Sequence, residues 1–138
     1  MTKQRPRRTR ALILVVEDEP RIAQMLREVL EAGGYGVELA ANGKLALDKI
    51  EMQAYDLIIS DLRMPALDGV GLYREITRRQ PELLSRILFV SGRAKAPEYQ
   101  RFLAESAVPI LAKPFVLAEL YQLTQQVLAT AKRRRAGR

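Results

Sequence analysis

The chain has 138 residues, of which 48% are apolar and 28% charged. That is the composition of one globular domain, not of a disordered segment. It contains no cysteine and no histidine, which excludes disulfides, thiolate metal sites, the usual zinc ligand and the commonest general base.

The net charge of +7 belongs to the ends. Residues 1–10 and 131–138 each hold five basic residues and no acid, leaving 13 basic against 16 acidic residues in 11–130. The chain therefore divides into a basic amino-terminal tail (1–10), a body (11–130) and a basic carboxyl-terminal tail (131–138). Solubilising tails are the plain reading. Electrostatic contact with nucleic acid or an acidic membrane surface is the alternative, and it would be a property of the tails alone. No apolar run reaches the ~18–20 residues that span a bilayer. Ala11–Val16 is too short for a signal sequence and runs directly into three acids, so a cytoplasmic protein is expected.

The first apolar run, Leu12–Val16, predicts a strand and ends in Glu17-Asp18-Glu19. A helical stripe follows, Ile22, Leu26, Val29 and Leu30, closed by Gly33-Gly34. That glycine pair superficially resembles a phosphate loop, but it ends a helix and precedes a strand, the reverse of the dinucleotide-binding order. Val37–Ala40 predicts the second strand, and Asn42 starts a second helix through Leu45, Ala46 and Ile50. Leu57–Ser60 is the third strand and ends at Asp61. Leu72, Tyr73 and Ile76 mark a helix stopped before Pro81. Ile87–Val90 is the fourth strand, followed by Ser91-Gly92, and a helix begins after Pro97. Val108–Leu111 is the fifth strand, leading to Lys113-Pro114. The last helix carries the clearest stripe, from Leu117 to Leu128.

Alternating strands and helices with short connections imply right-handed crossovers and a parallel sheet between two helical layers. The first, third and fourth strands are continuously apolar, as strands covered on both faces are. Ligands of such folds bind beyond the carboxyl ends of the strands. Glu17, Asp18, Asp61, Ser91 and Lys113 all fall on that edge. Grouped carboxylates repel unless a cation joins them, and an oxygen-only donor set favours Mg²⁺ over calcium here. A carboxylate so neutralised can act as a nucleophile toward phosphorus. Mg²⁺, Lys113 and the Ser91 hydroxyl can then each meet one phosphoryl oxygen.

Four segments in order, VVEDEP (15–20), ISDLRMPALDG (59–69), FVSG (89–92) and LAKPF (111–115), resemble the receiver domain of two-component response regulators across about residues 11–130. The resemblance implies a three-layer (βα)₅ flavodoxin-like, doubly wound α/β fold with strand order 2-1-3-4-5. It implies Asp61 as phosphoacceptor and Asp18 as a direct Mg²⁺ ligand. Glu17 would act through a metal-bound water, and the Arg63 backbone carbonyl would complete the metal shell. Ser91 would be the switch hydroxyl, Lys113 the family's lysine, and the Lys113–Pro114 peptide cis. The expected partner is a histidine kinase or histidine phosphotransferase; a downstream protein and a second copy in a homodimer are further expected partners. With only AKRRRAGR after Thr130, no DNA-binding domain is expected, and the chain reads as a single-domain regulator or the receiver of a hybrid histidine kinase.

Five positions set the chain apart within the family pattern. Glu17 stands where aspartate is commoner, and Ser91 where threonine is. Ile110 stands where an aromatic often swings inward on activation. Arg63 and Arg93, two residues after Asp61 and Ser91, occupy positions that border the phosphoryl group in the family. A haloacid-dehalogenase-like phosphatase needs an acid where Arg63 stands. A degenerate receiver acting as an interaction module remains the alternative within the family, and a tail-driven nucleic-acid binder the alternative outside it.

Overall fold

The computed structural model describes residues 10–136, with side chains through Lys132. The amino-terminal tail up to Thr9, and the side chains of the basic run from Arg133 on, lie outside the described residues. The tail-borne reading of nucleic-acid contact falls largely on them.

Five strands alternate with five α-helices: β1 (Leu12–Val16), α1 (Pro20–Ala32), β2 (Gly36–Ala40), α2 (Gly43–Met52), β3 (Leu57–Ser60), α3 (Gly69–Arg79), β4 (Ile87–Ser91), α4 (Pro97–Ser106), β5 (Ile110–Ala112) and α5 (Leu117–Ala136). All strand pairs are parallel, in the order β2-β1-β3-β4-β5. β2, whose carboxyl end offers no chemistry, is an edge strand.

The unbroken apolar run of β1 follows from this architecture. Successive strand side chains point to opposite faces, so Leu12, Leu14 and Val16 join α2, α3 and α4 through Ala46, Ile50, Leu72, Ile76 and Tyr99. Ile13 and Val15 join α1 and α5 through Leu26, Leu30, Leu120 and Val127. Every β1 residue is thus buried, and an alternating polar pattern would have placed polar atoms in one of the two cores.

The element ends have local causes. Asn42 caps α2, its side-chain oxygen accepting from Leu45 N at 2.9 Å. Gly34, at φ 96°, lets the chain leave α1. Gly33 serves for closeness instead, since a Cβ there would come within 2.8 Å of the Tyr121 ring on α5. Asp56 before β3 and Asp68 before α3 both have specific tasks. Asp56 accepts from Leu12 N at 2.8 Å, and Asp68 caps α3 by accepting from Gly71 N at 2.9 Å.

Several predicted boundaries move. β5 begins at Ile110, two residues later than the apolar run suggests, because Pro109 lacks the N–H a ladder needs; its carbonyl instead accepts from Phe89 N. β4 includes Ser91. A 3-10 segment, Pro81–Arg86, precedes β4, and α5 continues past residue 130 to Ala136, with Ala131 buried.

Ala107 ends α4 in the left-handed conformation, φ 57° and ψ 23°, which costs an L-residue roughly 1–2 kcal/mol. The residue is exposed, so a glycine sacrifices no packing. After allowance for the greater unfolded-state freedom of glycine, Ala107→Gly is expected to stabilise by roughly 0.5–1 kcal/mol. Urea denaturation reads this as a higher midpoint; an unchanged or lower one refutes it.

Candidate functional site

Strand register assembles the site. Val16 is level with Ser60 in the β1–β3 pair, so the next residues, Glu17 and Asp61, emerge side by side. The ladder continues into both: Glu17 N donates to Ala40 O and Asp61 N to Val16 O, each at 3.0 Å. Across the sheet Ser91 is level with Ala112, and Lys113 N donates to Ser91 O at 3.0 Å. Lys113 is thereby delivered to the same edge.

The carboxylates of Glu17, Asp18 and Asp61 offer oxygens that all lie within 4.8 Å of one another. Lys113 Nζ reaches Glu17 Oε1 at 3.0 Å and Asp61 Oδ2 at 3.5 Å. Glu17 is buried, and its second oxygen accepts from Glu19 N at 3.2 Å. Asp61 is only partly covered, and its Oδ1 accepts from Leu62 N at 2.7 Å. Asp18 is exposed. A set of hard oxygen donors with neither imidazole nor thiolate suits Mg²⁺, which takes one or two carboxylates and keeps several waters; the residues present fit that ion.

An open cleft of about 620 Å³ lies over these groups, lined by Asp18, Asp61, Lys113, Arg63 and Arg93, with Glu19, Ile22, Met64, Pro65 and Gly92 completing the wall. Arg63 and Arg93 are exposed on its rim. Two predicted residues stand apart. Ser91 is fully buried, and its hydroxyl accepts from Arg93 N at 3.0 Å instead of lining the cleft. Ile110 is partly buried against the core that includes Phe89 and Phe102, and it lines a separate hollow with Pro114 and Gln122. The Lys113–Pro114 peptide is cis. The sequence places Glu17 and Lys113 on one edge but carries no signal that they pair directly across 96 positions. The parts played by Glu19, Ile22 and Met64 as cleft walls were equally invisible.

Comparison with known proteins bears on this edge. Residues 13–125 match the family described as the response regulator receiver domain. The chain is 38% identical over 108 residues to the response regulator MprA of Mycolicibacterium vanbaalenii, which covers 78% of this chain and 46% of that protein. It thus spans about half the length of such relatives. It is 31% identical over 119 residues to the response regulator receiver protein CpdR of Brucella abortus, covering 86% of this chain and 98% of that one. Among solved structures, the receiver domain of the sensor histidine kinase PA1611 of Pseudomonas aeruginosa PAO1, with a magnesium ion coordinated in its active site cleft, superposes with a TM-score of 0.79 at 32% identity. That match covers 88% of this chain and 99% of that one.

Burial raises the Glu17 carboxyl above its ordinary value of 4.5, against the Lys113 hydrogen bond and charge and with a further push from Asp61. Folded Glu17 therefore holds its proton to higher pH than unfolded Glu17. Its contribution favours folding fully below about pH 4.5 and is lost as pH rises through the raised value. In metal-free protein Glu17→Gln removes this dependence. The stability of Glu17→Gln relative to the wild type is expected to grow from about pH 4 to about pH 7, measured by denaturant titration in a chelating buffer. A difference that shrinks over that interval would show that Lys113 outweighs burial.

Proposed function

The chain belongs to the response regulator receiver family, and on that premise we propose that it accepts a phosphoryl group on Asp61 from a histidine kinase or histidine phosphotransferase. The observation that carries this reading is the convergence of three carboxylates within 4.8 Å, bridged by Lys113, at the carboxyl ends of parallel strands. A structural carboxylate would have no need of two others beside it.

In this reading Asp18, Asp61 and the Arg63 backbone carbonyl would hold Mg²⁺, and Glu17 would act through a water. Mg²⁺ when bound neutralises the carboxylates and shares the charge on the phosphoryl oxygens. One Asp61 oxygen attacks phosphorus in line. As the new oxygen–phosphorus bond forms, the phosphorus–nitrogen bond of the donor breaks and its electron pair returns to the imidazole. Leu62 N–H holds Oδ1 and so fixes the plane of the attacking carboxylate. Lys113, already 3.5 Å from Oδ2, takes a second phosphoryl oxygen.

Ser91 supplies the switch. Its hydroxyl is held by Arg93 N, so it reaches the phosphoryl group only when residues 92–96 rearrange. Arg93 lies on the cleft wall, and one movement of this residue both frees the hydroxyl and draws a cation toward the new charge. Phosphorylation then biases a two-state equilibrium. The domain catalyses its own phosphorylation and hydrolysis and is a signalling element. Ile110 gives no aromatic readout on the β5 side, so the rearranged 92–96 segment and α4 carry the signal.

Acetyl phosphate with Mg²⁺ is expected to label the wild type with one acid- and hydroxylamine-labile acyl phosphate, visible by intact-mass spectrometry, and Asp61→Asn to abolish it. Asp18→Asn should weaken Mg²⁺ binding, by calorimetry, roughly tenfold or more and further than Glu17→Gln does. Labelling of Asp61→Asn at the wild-type rate, or equal losses in the two metal-site variants, would overturn the assignment.

A further inference from the structure

We propose that the amino end of α2 clamps the loop that follows β3, with Gly43 as a positioning residue for the phosphoacceptor site. The inference rests on the reading of Asp61, Asp18 and Arg63 given above and adds a residue outside the cleft to it.

Gly43 N donates to Leu67 O at 3.0 Å. A Cβ on Gly43 would be driven against that same carbonyl oxygen, and would lie 3.0 Å from Leu67 Cβ and 3.1 Å from its carbonyl carbon. The obstacle is backbone, which cannot rotate aside as a side-chain end can. Gly43 is not in the left-handed region, so its backbone conformation is open to any residue. Glycine is required there for close approach alone. From the opposite side the Leu67 side chain lies over Gly71, where a Cβ would come within 2.5 Å of Leu67 Cδ1. Leu67 is held between the two helices.

The path from Leu67 to the cleft is short. Leu67 N donates to Pro65 O at 2.7 Å across Ala66, whose φ of 68° marks a tight left-handed turn. Pro65, Met64 and Arg63 form one wall of the cleft. The ends of the loop are fixed separately: Asp61 N bonds to Val16 O, and Gly69 N to Leu62 O at 2.8 Å. A Cβ on Gly69 would come within 2.5 Å of Asp61 O. Asp68, on the other side of Leu67, is tied into α3 by Leu72 N and Gly71 N, so a displacement applied at Leu67 falls on residues 63–66. Those residues include the Arg63 carbonyl.

Gly43→Ala tests the clamp with two readouts on the 138-residue chain. In the metal-free state, the Arg63, Met64 and Ala66 amide resonances are expected to move. By calorimetry, Mg²⁺ affinity is expected to fall roughly tenfold, as for other residues that orient metal ligands from behind. Gly33→Ala is the control, since it crowds Tyr121 at the far end of α1; it should lower stability but leave Mg²⁺ affinity unchanged. Should Gly43→Ala not fold, Gly71→Ala pushes Leu67 from the other side. Its loss of affinity should then be restored in Gly71→Ala/Leu67→Ala. Unmoved Arg63 and Met64 resonances in a folded Gly43→Ala, or Mg²⁺ affinity within about twofold of wild type, overturn the inference. A wild type whose Mg²⁺ binding is indifferent to Asp18→Asn would instead sink the site reading, while the metal-free resonances still decide the clamp.

Discussion

Three carboxylates within 4.8 Å of one another repel, and burial of one of them deepens the cost, because a low-dielectric surrounding penalises unpaired charge. Lys113 is the compensating group. It bridges Glu17 and Asp61, although it comes from the strand at the opposite edge of the sheet from β2. The contact with Glu17 is made at 3.0 Å between residues 96 positions apart in the chain. The pair is therefore also a structural link between β1 and the end of β5. A site with this much like charge has to be supported by something rigid, and most of the fold can be understood as that support.

The rigid element is the parallel sheet. Its strands are covered on both faces, so a slip of one residue would exchange the side chains of the two cores and place each in a volume shaped for the other. Register is thereby fixed by packing over the whole length of β1, β3 and β4, and the ladder carries it into the loops through Glu17 N, Asp61 N and Lys113 N. The first residue beyond each strand inherits the precision of the strand. Asp18, one residue further, is exposed and owes its place to the turn into α1.

The strand-end groups were legible in the sequence for the same reason: apolar runs bounded by acids or by Lys-Pro announce both the strand and its functional end. What the sequence hid depends on contacts between distant segments. The Glu17–Lys113 pair, the Asp56 bond to Leu12 N and the seating of Gly43 on Leu67 leave no periodic trace. β5 was misplaced because Val108 belongs to the apolar core without belonging to the ladder. The 3-10 segment before β4 is six residues long, too short to leave a helical stripe in the sequence. The cap formed by Asp68 could have been found, since aspartate before a helical stripe is a strong start signal.

Glu17 shows how a departure from the commoner residue is accommodated. Its carboxylate is buried, yet it keeps both oxygens engaged, one with Lys113 Nζ and the other with Glu19 N. The extra methylene relative to aspartate is what separates these two partners from the residue's own backbone, which is tied to Ala40. A shorter acid on the same backbone would retreat toward β1 and lengthen the contact with Lys113. Attraction within a buried pair falls off with distance while the cost of burying the charge does not. The longer side chain thus keeps a buried acid and a lysine from across the sheet in contact, leaving Asp18 and the open side of Asp61 facing the cleft.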